Sequence, residues 1–136
     1  MALLAATLGL VVLAPAPQAS AGGCTIVGCS QSWNYTSTYA TAFKSWTCEW
    51  GTTGSWSTGC VGGDPYGLSG YGTHTPDGQD WDVVRIDAGW CYKLHLLVPG
   101  KTWDVVYDRR GTSAAYVKVE NWGYAKITYQ SSTSCP

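Results

Sequence analysis

Apolar and polar residues alternate along much of the second half of the chain, which predicts β-strands. The clearest example is residues 92–98, where every second residue is apolar and Lys93 and His95 lie on the opposite face. A period of two is the spacing of a strand with one buried face. The same reasoning predicts four further strands, at residues 81–86, 103–107, 115–120 and 124–129.

Turn residues such as Gly89, Pro99 and Gly100 separate these strands, and no segment has convincing helical periodicity. Strands spaced by about 8 to 12 residues, with turn signals between them, are typical of antiparallel sandwiches and barrels. The sequence therefore predicts an all-β fold, a small disulfide-stabilised antiparallel β-sandwich or barrel. Residues 51–79 are rich in glycine and turn residues, and we expect them to be mostly loop.

The start of the chain resembles an export signal. The apolar run at residues 2–14 is too short to span a bilayer as a helix, which takes about 20 residues. Ala19, Ser20 and Ala21 have the small-x-small form of a signal-peptidase site, although no Lys or Arg precedes the apolar run. We predict a signal peptide at residues 1–21 and a single secreted domain at residues 22–136.

Six cysteines follow the predicted cleavage site, and an even number in a short exported chain indicates three disulfides. No paired C-x2-C spacing occurs, so we expect no metal. We prefer a bond between Cys91 and Cys135, which would tie the last segment to a central strand and contribute about 4 kcal/mol through loop entropy. The pairing of the other four stays open: Cys24, Cys29, Cys48 and Cys60.

Charged and titratable residues argue against several classes of function. The formal net charge is −1, so we expect no nucleic-acid or membrane partner. His74 and His95 belong to no hydrolase motif. Asp77, Asp80 and Asp82 do not follow the order of a calcium-binding EF-hand loop, and a polar strand edge accounts for them. We therefore expect no catalytic residue and no cofactor.

Aromatic residues carry the main functional signal, because the chain has eight Trp and nine Tyr but one Phe. Trp and Tyr combine a large apolar area with a polar group, which suits contact surfaces. We expect burial of four tryptophans in strands and turns: Trp81, Trp90, Trp103 and Trp122. The aromatic residues surrounded by Ser, Thr, Gly and Asn are candidates for contact with a partner: Trp33, Tyr35, Trp46, Trp50 and Trp56.

Trp33 and Tyr35 would share one face of a strand, with Ser32, Asn34 and Thr36 on the other. This pattern fits burial of the aromatic face about as well as its display. We favour display, because the polar residues of the segment do not indicate which side faces the core.

Two short motifs resemble the tendamistat-type α-amylase inhibitors of streptomycetes. One is QSWNY at residues 31–35, between Cys29 and Cys48, and the other is a Cys-Tyr strand ending in the Val-Pro-Gly turn of residues 98–100. In that family of small secreted β-sandwiches, a hairpin presents a Trp-Arg-Tyr triplet to the amylase. The resemblance implies an actinobacterial inhibitor that contacts the enzyme through residues 33–35. Asn34 stands where the family has Arg, whose charge suits an acidic cleft.

The sequence therefore predicts a secreted, non-enzymatic binding protein, most specifically an inhibitor of an extracellular glycoside hydrolase of the α-amylase type. The six predicted contact residues are Trp33, Asn34, Tyr35, Trp46, Trp50 and Trp56. One alternative is a carbohydrate-binding module that uses exposed Trp and Tyr rings, and another is an accessory or adaptor subunit of a secreted toxin complex. A sugar site should be a flat cluster of rings, whereas an inhibitor should have a projecting loop.

Overall fold

The computed structural model describes Cys24 and residues 28–136, so the predicted signal peptide at residues 1–21 lies outside the described residues. None of the described residues forms a helix able to cross a membrane. The described residues form ten strands and no helix. The strands are β1 Gln31–Asn34, β2 Ala40–Ser45, β3 Trp56–Ser57, β4 Gly62–Leu68, β5 Thr73–His74, β6 Val83–Ile86, β7 Cys91–Val98, β8 Lys101–Asp108, β9 Ala115–Lys118 and β10 Tyr124–Ser131.

The strands form two five-stranded sheets. Sheet 1 has the order β5-β1-β10-β7-β8, and sheet 2 has the order β3-β9-β6-β2-β4. Neighbouring strands are antiparallel except for β1 and β10, which are parallel. The predicted all-β, sandwich-like fold is confirmed.

The hydrophobic core lies between the two sheets. Leu94 and Leu96 of β7 and Ile127 of β10 point inward from sheet 1, and Val84 and Val117 point inward from sheet 2. All five side chains are fully buried. Burial of each such side chain contributes about 1.5–3 kcal/mol. The alternation predicted for residues 92–98 and 115–120 therefore identifies the inward positions correctly.

Three disulfides join the described cysteines: Cys24–Cys29, Cys48–Cys60 and Cys91–Cys135. The last of these is the pair preferred from the sequence, and it ties the end of the chain to the first residue of β7. The second closes the connection between β2 and β4, which includes β3. Three disulfides indicate an oxidising environment for this chain.

Residues 51–79, which we expected to be mostly loop, contain strands β3, β4 and β5. The longest of them, β4, pairs antiparallel with β2. The sequence does not predict this strand because it contains Gly62, Gly63 and Pro65, and glycine and proline are both depleted in strands. Pro65 is tolerated because β4 is an edge strand of sheet 2. Pairing with β2 thus outweighs the weak local preference for a strand.

The prediction that Trp122 is buried is wrong. Trp122 lies in the turn between β9 and β10, has a φ of 66° and is 53% exposed. The turn is closed by a hydrogen bond from the backbone N–H of Gly123 to the carbonyl of Glu120, 2.8 Å long, and it directs the indole into solvent. Trp81 is buried, and Trp90 and Trp103 are partly buried against the core.

Candidate functional site

Strand β1 turns its small polar side chains inward and its aromatic side chain outward. Ser32 and Asn34 pair in register with Ala125 and Ile127, two core residues of β10. Both polar side chains are fully buried. Trp33, which alternates with them, therefore lies on the outer face of sheet 1.

Asn34 is a buried structural residue, so the prediction that it contacts a partner is wrong. Its side-chain Nδ2 donates to the backbone carbonyls of Thr38 (2.7 Å) and Leu68 (3.0 Å). Its Oδ1 accepts from the backbone N–H (3.1 Å) and the hydroxyl (2.9 Å) of Thr36. These bonds tie the connection between β1 and β2 to the end of β4. The strand alternation that displays Trp33 is what buries Asn34.

The segment between Cys29 and Cys48 does not form a β-hairpin. Strand β1 belongs to sheet 1 and β2 to sheet 2, so the connection between them crosses from one sheet to the other. Cys48 is bonded to Cys60 and Cys29 to Cys24, so no disulfide closes the segment. Of the residues that the family resemblance places at a hairpin tip, Trp33 and Asn34 therefore lie in a strand within a sheet, and Tyr35 directly follows that strand.

Trp33 stacks with a ring that follows its own strand and with a ring on a neighbouring strand. The ring planes of Trp33 and Tyr35 are 7° apart, with their centroids 6.1 Å from each other. The imidazole of His74 on β5 stacks on Trp33 at 4.2 Å and 28°. Nδ1 of His74 is fixed by a 2.7 Å hydrogen bond to the carbonyl of Thr75. The indole is thus held in one orientation at the surface.

A groove of about 250 Å³ lies on the outer face of sheet 1, on the side of Trp33 that faces β10. We call it the aromatic groove, and its lining is Trp33, Tyr35, Leu97, Tyr124 and Lys126. Its aromatic walls come from β1, from the residue that follows β1, and from the start of β10. Lys126 is the charged lining residue, and no ion pair among the described residues involves it.

The outer face of sheet 1 continues beyond Lys126 as a row of charged side chains. His95 lies 2.6 Å from Asp104 through its Nδ1, and the Lys93 ammonium lies 3.0 Å from the same carboxylate. Hydrogen bonds from His95 and Lys93 lower the pKa of Asp104. This row leaves the groove bordered by an open, polar sheet surface.

Trp46, Trp50 and Trp56 do not line the aromatic groove. Trp56 lies on the edge strand β3, where the Arg109 guanidinium covers its ring at 4.9 Å. Trp46 and Trp50 meet edge to face, with centroids 5.4 Å apart. The indole N–H of Trp46 donates to the carbonyl of Trp50 at 2.7 Å.

Trp46 lines a second and larger cavity, of about 620 Å³, at one end of the sandwich. The end of β2, the start of β6, the end of β9 and the turn between β7 and β8 meet there. We call it the end cavity, and it is lined chiefly by Trp46, Asp82, Pro99, Lys118, Glu120 and Asn121. This grouping is not predictable from the sequence, because residues far apart in the chain come together only when the strands pair.

The loop of residues 50–53 positions three of the side chains that line the end cavity. Besides accepting from Trp46, it accepts a 2.8 Å hydrogen bond from the Lys118 ammonium through the carbonyl of Gly51. The backbone N–H of Thr53 donates to the Glu120 carboxylate at 2.8 Å. The loop is enclosed by the disulfide at residues 48 and 60. Side chains held in this way lose little further entropy when a ligand binds.

Asp82 has the most unusual environment in the end cavity. Burial raises the pKa of its carboxyl group to about 6, and the neighbouring Asp80 carboxylate adds to the increase. The hydroxyl of Ser30 lies 2.6 Å from Asp80 and 3.0 Å from Asp82, and so links the two carboxyl groups. This carboxyl group titrates close to the physiological range.

The structure separates the predicted contact residues into distinct groups. Trp33 and Tyr35 line the aromatic groove, Trp46 lines the end cavity, and Trp50 and Trp56 are exposed outside both linings. A comparison with known protein families, curated proteins and solved structures finds no match to this chain.

Replacement of Asn34 should reduce stability strongly. We expect Asn34→Ala to lower the free energy of unfolding by about 3 kcal/mol, because it leaves buried backbone groups without partners. The control is Ser37→Ala, at an exposed position in the same connection, which should change it by less than about 0.5 kcal/mol. Urea denaturation measures both values, and equal stability of the two variants would contradict the structural role of Asn34.

Asp82 should make stability depend on pH. Its pKa is about 6 in the folded chain, against 3.8 for an ordinary aspartate, so the folded state retains a proton that the unfolded state loses. The free energy of unfolding should therefore fall as pH rises from 4 to 6, by about 1–2 kcal/mol for a carboxyl group in this partly exposed position. The pKa values of Asp104 and Asp108 are lowered, so the titration of these two groups affects stability below pH 4 and not between pH 4 and 6.

The matching variant is Asp82→Asn, which cannot titrate. Denaturation at pH 4, 5, 6 and 7 should show that the free energy of unfolding falls less with rising pH in the variant than in the natural protein. If both proteins show the same slope between pH 4 and 6, another group is responsible for it.

Proposed function

We propose that this protein is a secreted, non-enzymatic carbohydrate-binding protein whose ligand lies in the aromatic groove. The observation that carries the proposal is the orientation of β1, which fully buries Ser32 and Asn34 and places the half-buried ring of Trp33 on the outer face, where it lines the groove. Placing a large indole on the outer face while fully burying two polar side chains reverses the usual preference. An exposed aromatic surface of this kind supports a role in binding.

The shape of the surface favours a sugar over the cleft of an enzyme. Trp33 lies in a strand that is paired on both sides, with β5 and with β10. It therefore belongs to a broad sheet face and cannot enter a deep cleft. Sugar rings present apolar C–H faces to aromatic rings and hydroxyl groups to polar side chains. The groove offers both, through the rings of Trp33, Tyr35 and Tyr124 and the ammonium group of Lys126.

The groove is also largely formed before a ligand arrives. His74 supports the Trp33 ring from the β5 side, and Tyr35 lies parallel to it. Aromatic side chains have few rotatable bonds, and those held by neighbours add little entropy cost to binding. The three disulfides and the export-like sequence at residues 1–21 support a place outside the cell.

Binding to polysaccharides tests the proposal. We expect the oxidised protein to be retained by at least one insoluble or soluble member of a panel of plant, fungal and bacterial polysaccharides. Trp33→Ala should weaken that binding at least about tenfold, because it removes the central ring of the groove. Affinity electrophoresis and calorimetry measure the effect.

The matched control is Trp56→Ala, which removes a half-exposed indole from the edge of sheet 2. It should leave the binding unchanged. Absence of binding across the panel would overturn the proposal, and equal losses in the two variants would exclude the aromatic groove as the site.

A second candidate function, inhibition of a glycoside hydrolase, is supported by a projecting loop beside the groove. Tyr71 is 83% exposed and has a φ of 55°, a backbone conformation that residues other than glycine seldom adopt. Its backbone N–H donates to the carbonyl of Thr36 at 2.9 Å, and that of Gly72 donates to the carbonyl of Asn34 at 2.7 Å. The loop is thus held rigidly with its tyrosine in solvent.

Inhibition of an animal-type α-amylase tests this candidate. If the loop enters the enzyme, Tyr71→Ala should raise the inhibition constant at least about tenfold, whereas Trp33→Ala should have a much smaller effect. The steady-state rate of starch hydrolysis is measured at increasing concentrations of the oxidised protein. No inhibition at micromolar protein would rule out this target.

A further inference from the structure

The end cavity carries more acidic than basic groups. Asp82 and Glu120 line it together with one cation, Lys118, and Asp80 lies directly behind Asp82. No ion pair among the described residues involves Asp82 or Glu120. The ammonium of Lys118 is instead bound to the carbonyl of Gly51. Above the pKa of Asp82 the cavity therefore has an uncompensated negative charge.

The charged groups that surround Asp82 do not neutralise it. Lys118 and Glu120 approach from the β9 side, and Asp80 precedes it in the chain. Lys44 of β2 is directed elsewhere, since its ammonium donates to Gln79 at 2.7 Å and lies 4.5 Å from the ring of Trp81. A partly buried carboxylate without a cationic partner is less favourable than one in water, and a cationic ligand would offset part of that cost.

The remaining walls suit a ring with hydroxyl groups better than a narrow alkyl chain. Trp46 supplies an aromatic wall and Pro99 an apolar one, and Asn121 is exposed at the rim. A volume of about 620 Å³ lies within the range of small-molecule sites, roughly 300–1,000 Å³. An anion would be repelled by the excess of carboxylates.

We propose that the end cavity binds an amino-sugar unit, whose ammonium group pairs with the carboxylates of Asp82 and Glu120 while its ring packs against Trp46 and Pro99. The proposal does not depend on the aromatic groove, since the two linings share no residue. Ionised Asp82 is the form that binds. Affinity therefore declines as pH falls through about 6, where this carboxyl group takes up a proton.

Calorimetry with two trisaccharides tests the proposal. The first is the trimer of glucosamine, which carries amino groups, and the second is the trimer of N-acetylglucosamine, which has the same rings without the charge. We expect the glucosamine trimer to bind at pH 6.5 and to bind at least about fivefold more weakly at pH 4.5. The amine can only gain protons as pH falls, so weaker binding at pH 4.5 cannot come from the ligand.

Three variants test this site. Asp82→Asn and Glu120→Gln keep the size of each side chain and remove its charge, and each should weaken binding of the glucosamine trimer at pH 6.5 at least about fivefold. Trp56→Ala, at a position outside both linings, should leave it unchanged. Equal affinity for the acetylated trimer would overturn the proposal, as would stronger binding at pH 4.5 or no binding of the glucosamine trimer to the natural protein.

Discussion

The parallel pairing of β1 with β10 determines the exposed chemistry of sheet 1. It sets Ser32 and Asn34 against core residues and leaves Trp33 on the outer face. A shift of one residue would exchange the two sides of β1 completely. Such a shift is opposed by the hydrogen bonds of Asn34, which require its side chain to lie between the connection after β1 and the end of β4. The buried side chain of Asn34 thus keeps Trp33 on the outer face of the sheet.

The end cavity depends on a different constraint, the short loop at residues 50–53. Its backbone groups hold Trp46, Lys118 and Glu120, and the disulfide at residues 48 and 60 encloses it. Backbone carbonyl and N–H groups move less than side chains do, so they keep the lining in place without adding charge. In both sites, therefore, buried or backbone polar groups fix the side chains that are available to a ligand.

Much of the fold could be predicted from the sequence, because apolar and polar residues alternate along β7 to β10 and turn residues separate these strands. Strand β4 could not, since its glycines and Pro65 are acceptable only at a sheet edge that the sequence does not reveal. The structural role of Asn34 is not predictable from the sequence for a related reason. Burial of the Asn34 side chain is favourable only because Thr36, Thr38 and Leu68 supply its hydrogen-bond partners. Leu68 lies 34 residues away in the chain. The end cavity combines residues from four separate parts of the chain, and periodicity within one strand carries no information about such a grouping.

In the proposed amino-sugar site, Asp82 would connect stability with binding. Its raised pKa means that the ionised form is less favourable in the folded chain than in water, by burial first and by Asp80 second. An ammonium ligand would stabilise that ionised form, and by linkage it would lower the pKa of Asp82 and add to the free energy of unfolding. A purely structural aspartate would gain from a permanent cation at this position. Lys118 lines the same cavity and could have filled that role, yet its ammonium is bound to the carbonyl of Gly51. The carboxylate of Asp82, which accepts a hydrogen bond from the Ser30 hydroxyl, is thereby left without a counter-ion among the described residues, and this is the feature on which the proposed ammonium site rests.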